Sequence, residues 1–188
     1  MNLQEYFKNS SDMSDEKADL IASYFKKETF KKGSLLIQEG KTSKKSYFLE
    51  SGIIRRYIID LKGDEITTRF YSAPDFLNDY LSFFEQKPSE ENYELITDCM
   101  VFSINYENVQ HCFHNIYEFR EWGRMHLTLN YVHENRKVIS FHKETAQERY
   151  VNLKLRKPEI IEKVPLHIIA SYLGITKFSL SRIRKEIK

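Results

Sequence analysis

The order of apolar and polar positions divides the chain into stretches of different period. Between Leu3 and Phe25, the residues Leu3, Tyr6 and Phe7 and then Leu20, Ile21, Tyr24 and Phe25 recur at helical spacing. Ser14 followed by Asp15 and Glu16 predicts a helix start between these groups: a hydroxyl cap with acidic residues in the first turn. From Phe30 to Ile104 the period falls to two. Apolar runs around Leu36, Phe48, Ile53 to Ile59, Ile66 to Tyr71, Tyr93 to Ile96 and Met100 to Ile104 are broken by Glu39-Gly40, Ser51-Gly52 and Lys62-Gly63-Asp64. Strands about ten residues apart with glycine-bearing turns predict an antiparallel sandwich or barrel. Ala73 to Asn92 interrupts that rhythm with a short helical patch and a polar loop containing Pro88.

Helical spacing returns from about Asn115 to His142, with Ile116, Phe119, Trp122, Met125, Leu129, Val132 and Ile139 along one stripe. At 1.5 Å per residue such a helix reaches roughly 40 Å, longer than a small sheet domain covers. The surplus of the stripe predicts a partner helix, and so a homodimer. A shorter helix from about Thr145 to Leu155 ends before Pro158. The last stretch, Leu166 to Lys188, holds two short helical blocks: Ile168, Ile169, Leu173 and Ile175, then Leu180, Ile183 and Ile187. Gly174 separates them, tolerating the left-handed backbone that ends a helix, and Thr176 is placed to cap the next. Ala170 is small where the two helices approach. Together these positions predict a helix-turn-helix. The outward positions of its second helix are Lys177, Phe178, Ser179, Ser181, Arg182, Arg184 and Lys185. Arginine donates in parallel to guanine O6 and N7, while serine and lysine more often hold phosphates.

Charge sharpens this reading. The net charge of the 188 residues is only +2, but Ala146 to Lys188 carries 10 Lys and Arg against 4 Asp and Glu. A basic tail (+6) on an acidic body (−4) predicts that only the tail meets a polyanion. Two cysteines, Cys99 and Cys112, without C-x-x-C spacing point to reduced thiols in a cytoplasmic protein. No segment approaches the ~18 apolar residues of a membrane helix. A nucleophile elbow, a phosphate loop and a metal-ligand cluster are all missing from the sequence, which argues against an enzyme and against a bound metal or cofactor.

The fragments Lys32-Gly33-Ser34-Leu35-Leu36-Ile37-Gln38-Glu39-Gly40, Tyr47-Phe48-Leu49-Glu50-Ser51-Gly52 and Leu61-Lys62-Gly63-Asp64-Glu65 carry a resemblance to known proteins. So does Ala170-Ser171-Tyr172-Leu173-Gly174-Ile175-Thr176 leading to Ser179-Leu180-Ser181-Arg182-Ile183. In this order they resemble the Crp/Fnr family of bacterial transcription regulators. The resemblance implies an α+β fold: residues 1–114 as a cyclic-nucleotide-binding-like sensor built on an antiparallel jelly-roll barrel with flanking helices, 115–143 as the long dimerisation helix, and 144–188 as the helix-turn-helix.

It further implies a candidate effector pocket at Asn78, Asp79, Glu91 and Asn92, with His126 and His133 on the long helix able to face it. Relatives that bind cyclic AMP carry a phosphate-binding arginine in the loop corresponding to Ser89-Glu90-Glu91-Asn92-Tyr93. Here the arginine is replaced by acidic residues, and carboxylates repel a phosphodiester. The expected effector is therefore an unknown small molecule, or none, rather than cyclic AMP. The sequence stops at Lys188, directly after the second helix, so the usual wing hairpin is not expected. Lys154, Arg156, Lys157 and Lys163 are assigned its phosphate contacts.

The function expected is sequence-specific binding of a palindromic operator in double-stranded DNA by Thr176 and the outward positions of the second helix, with RNA polymerase a further partner of an activator. The alternative is a ligand-binding regulatory module whose C-terminal helices dock on a protein.

Overall fold

The computed structural model describes residues 1–11 and 13–187. Two amphipathic helices, α1 (Leu3–Ser10) and α2 (Asp15–Ala22), open the chain, each capped at its N-terminus by a side chain, that of α2 by the Ser14 its sequence suggests. Asn2 and Glu5 form a capping box on α1, and Ser14 Oγ accepts from Lys17 N on α2.

Eight strands follow: β1 (Lys26–Phe30), β2 (Leu35–Ile37), β3 (Lys45–Ser51), β4 (Ile53–Ile59), β5 (Glu65–Ser72), β6 (Asp75–Leu77), β7 (Asn92–Leu95) and β8 (Cys99–Asn105), with α3 (Tyr80–Glu85) between β6 and β7. They form two antiparallel four-stranded sheets, ordered β1-β8-β3-β6 and β2-β7-β4-β5. The expected barrel is not closed. No ladder joins the sheets among the described residues, and the outer edge of β5 is covered by helices. The sheets instead face each other as a sandwich whose interior holds Leu49, Leu77 and Val101 from one side and Ile54, Tyr71, Tyr93 and Leu95 from the other.

Alternation sends the intervening residues outward to two helical layers. Phe48 and Phe76 leave the first sheet to meet Leu3, Phe7 and Ile21, together with Val109 and Cys112 of α4 (Tyr106–Asn115) and Ile116, Phe119 and Trp122 around the start of α5 (Tyr117–Lys143). Ile53, Phe70 and Ile96 leave the second sheet to share a core with the C-terminal helices α6 (Ala146–Arg156), α7 (Pro158–Lys163), α8 (Leu166–Tyr172) and α9 (Lys177–Glu186). The C-terminal helices therefore rest on the sheet and have no core wholly their own.

Three elements differ from the sequence reading. β1 begins at Lys26; it is an outer strand whose Lys-Lys-Glu-Thr run carries no apolar alternation. The 73–92 interruption contains β6 as well as a helix. The approach to the long helix is a separate helix, α4, broken from α5 at Ile116. Of the apolar stripe on α5, Phe119 and Trp122 are buried, whereas Met125, Leu129, Val132 and Ile139 are exposed.

Candidate functional site

The turn between α8 and α9 has the geometry that Gly174 and Thr176 predict. Gly174 lies at φ 68°, and the helix closes with Ile175 N donating to Ala170 O at 3.0 Å and Gly174 N to Ser171 O at 3.1 Å. Thr176 Oγ1 accepts from Ser179 N at 3.1 Å, so α9 starts capped. Leu180 and Ile183 turn into the core with Ile169, Ala170 and Leu173. This leaves Lys177, Phe178, Arg182, Arg184 and Lys185 in solvent and Ser179 and Ser181 half-buried. Phe178 does not pack inward: it is 79% exposed. Arg182 has a loose counter-charge in Glu186 at 3.9 Å, an exposed pair weak enough to exchange for a phosphate or a base edge. Lys154, Arg156 and Lys163 are also exposed. Lys157 is a correction. Its ammonium turns inward and donates to Phe70 O at 3.0 Å, so it is occupied by the sheet rather than offered to a phosphate.

That bond belongs to a set closing the free edge of β5. Ser171 Oγ accepts from Thr67 N at 2.9 Å and donates to Glu65 O at 2.8 Å, while Lys137 donates to Thr68 O. The rings of Phe70 and Tyr172 lie 4.9 Å apart. Side chains from α5, α7's cap and α8 thus take the place of a neighbouring strand and hold the C-terminal helices against the sheet.

Inside the β-sandwich, the predicted pocket residues separate. Tyr93 Oη donates towards both Asn78 O and Glu91 Oε2 at 3.1 Å, which links those two. Asp79 Oδ1 caps α3 by accepting from Ser82 N at 3.0 Å, and its Oδ2 and Asn78 Oδ1 are buried without a partner among the described residues. Asn92 turns away. Its Oδ1 accepts from Glu39 N at 3.0 Å, a structural tie to the end of β2. His126 stacks on Trp122 (5.1 Å, 15°), with Nε2 3.1 Å from Tyr80 Oη. Burial, reinforced by Arg69, pushes its imidazole down to about 4, so it is neutral at pH 7. His126 and Asn78 share the wall of an apolar cavity of about 40 Å³ with Phe76, Tyr80 and Trp122, room for a few waters and far too small for a nucleotide. His133 is exposed on α5 and does not join this cavity.

Residues 27–115 match the family model of the cyclic nucleotide-binding domain. Solved structures are similar over most of the chain. The c-di-GMP-responsive regulator CLP of Xanthomonas campestris superimposes with a TM-score of 0.74 at 14% identity, covering 93% of this chain and 91% of that one. A transcriptional regulator of the Crp/Fnr family from Eubacterium rectale superimposes at 0.71 and 18% identity, covering 93% and 83%. The chain shares the fold of these regulators. CooA of Carboxydothermus hydrogenoformans, in a mutant form, shares that fold at 0.69 and 17% identity, over 99% and 84%. No curated protein matches the sequence.

Where α5 meets β4 and β5, the chain gathers charges of its own. Arg56 and Arg69, paired across β4 and β5, both reach Glu134 Oε1 on α5, at 3.2 and 3.1 Å. Arg56 Nε also lies 3.4 Å from Glu91 and donates to Thr68 Oγ1 at 2.9 Å. Burial would raise the Glu134 carboxyl, but Arg56 and Arg69 outweigh it and hold it below its ordinary range. Burial pushes the Lys137 ammonium down to about 8. Arg56, Arg69, Glu134 and Lys137 were not singled out by the sequence reading. The available signal was a charge standing at an inward position of an apolar strand, in Ile53 to Ile59 and again in Ile66 to Tyr71. Among the described residues no three His, Cys, Asp or Glu side chains are grouped to hold a metal, and no helix is long and apolar enough to cross a membrane.

Proposed function

We propose that the chain is a sequence-specific, DNA-binding transcription regulator without enzymatic activity, acting as a homodimer, with residues 1–114 as sensor, 115–143 as dimerisation helix and 144–188 as reader, of which Lys188 lies outside the described residues. One observation carries the reading: α9 is capped and anchored by Leu180 and Ile183, and presents Lys177, Phe178, Arg182, Arg184 and Lys185 together to solvent. In this reading α8 and α9 form a helix-turn-helix, with α9 in the major groove. Arg182 takes a base edge, and Thr176, Lys177, Ser179, Ser181, Arg184 and Lys185 divide between bases and phosphates. Phe178 meets a thymine methyl. The exposed Met125, Leu129, Val132 and Ile139 follow one another at steps of four, three and seven, the spacing of a coiled-coil seam, which supports pairing of α5 with its counterpart and hence a palindromic operator.

The effector side is read as not cyclic AMP. The cavity beside Asn78 and His126 is far too small for a nucleotide, and Asn78 and Asp79 keep unpaired acceptors that suit a donor-bearing ligand. A second reading, docking of α8 and α9 on a protein, is favoured by one feature: the exposed ring of Phe178.

Selection of genomic fragments by the purified protein, without added ligand and at near-physiological salt, tests the first reading against the second. Emergence of a palindromic site, with affinity falling steeply in salt, supports a regulator. Absence of any sequence preference, in buffer and in cell extract alike, refutes it.

A further inference from the structure

Arg56 and Arg69 stand side by side on adjacent strands, so their positions are set by the β4–β5 ladder and not by α5. Both side chains are nearly buried, at 14% and 11% exposure. Two neighbouring guanidinium groups removed from water repel each other unless an anion lies between them. Each has support from its own sheet: Arg56 from Thr68 Oγ1 and Glu91, Arg69 from stacking over the Tyr71 ring at 4.6 Å. Arg69 Nε nevertheless has no acceptor among the described residues. The Glu134 carboxylate is in the opposite position. It bonds to these two arginines and to nothing else among the described residues, and at 38% exposure it is the member of the cluster that solvent reaches. Lys137, one turn along α5, is engaged with Thr68 O and does not compete for it.

The sheet therefore holds the cations ready, and the helix delivers a single carboxylate oxygen to both. We propose that Arg56 and Arg69 form a binding site for a small carboxylate or oxyanion, and that its occupant in this structure is the chain's own Glu134. α5 is then fastened to the sensor by a carboxylate that plays the part of a ligand, and no diffusible effector is needed for that state. The inference stands whether or not α9 reads DNA.

The test is chemical rescue of Glu134→Ala in the full chain, followed by thermal unfolding at pH 7 in sodium formate and in sodium chloride at equal ionic strength. In chloride the variant melts lower than the parent, by on the order of 5 °C. Formate recovers most of that loss with a saturable dose dependence, while leaving the parent unmoved. Adding Arg69→Ala to the variant abolishes the recovery, and Glu134→Gln, whose amide still fills the position, shows none. If Glu134→Ala does not fold in chloride, its refolding yield in formate against chloride gives the same comparison. Equal behaviour of Glu134→Ala in the two salts overturns the proposal, as does recovery that persists without Arg69 or appears equally in Glu134→Gln.

Discussion

Replacing Ser171 by alanine tests how the C-terminal helices are held. One hydroxyl satisfies two backbone groups of β5: it accepts from Thr67 N at 2.9 Å and donates to Glu65 O at 2.8 Å. The two losses are unequal. Glu65 is exposed, so water replaces the donor to its carbonyl at little cost. Thr67 is 2% exposed, so its N–H is left without an acceptor, which costs about 1–3 kcal/mol. With a urea slope of about 1–3 kcal/mol per molar, the midpoint falls by roughly 1 M. Amide exchange gives the residue-level readout: protection at Thr67 drops, while the amide of Val101, buried on the inner strand β8 of the other sheet, changes only with global stability. An unchanged midpoint together with unchanged Thr67 exchange refutes the reasoning, because α8 would then not rest on β5 in solution.

Four further outcomes are expected. Arg182→Ala lowers affinity for the selected operator by about 1–3 kcal/mol in a gel-shift titration while binding to random DNA persists; equal loss on both sequences removes Arg182 from base reading. Leu129→Asp places a charge on the exposed stripe of α5, and sedimentation should show a monomer where the parent sediments as a dimer. Gly174→Ala forces an alanine to φ 68° and brings its Cβ to 3.1 Å from Phe141 Cε1, so it should destabilise by about 1–2 kcal/mol, read from the denaturation midpoint. For His126 the folded value, about 4, lies below its ordinary 6.5, so the unfolded chain takes the proton first. That stability is full above about pH 6.5 and is lost towards pH 4, which amounts to about 2 kcal/mol between pH 7 and pH 5. His126→Gln should shrink the pH 7 to pH 5 difference by that amount.

The sequence by itself determined the elements whose signals are local. Ser14 and Thr176 cap the helices they precede, Gly174 takes the left-handed turn, and the strand runs from Leu35 to Ile104 lie where alternation puts them. Each depends on the chemistry of a few consecutive residues, so it survives without knowledge of the rest. The basic face of α9 was legible for the same reason: a helix of known phase sorts its own residues into inside and outside.

Tertiary structure decided what depends on residues far apart. The outer edge of β5 is closed by Ser171, Lys137 and Lys157, which no local pattern assigns to it. The predicted pocket residues scattered in the same way, since Asn92 was claimed by Glu39 and His126 by Trp122 and Tyr80. The Arg56–Arg69–Glu134 cluster spans separations of 78 and 65 residues. A buried charge is stable only beside its counter-charge, and which counter-charge it meets is set by how α5 crosses the sheet, a property of the packed chain.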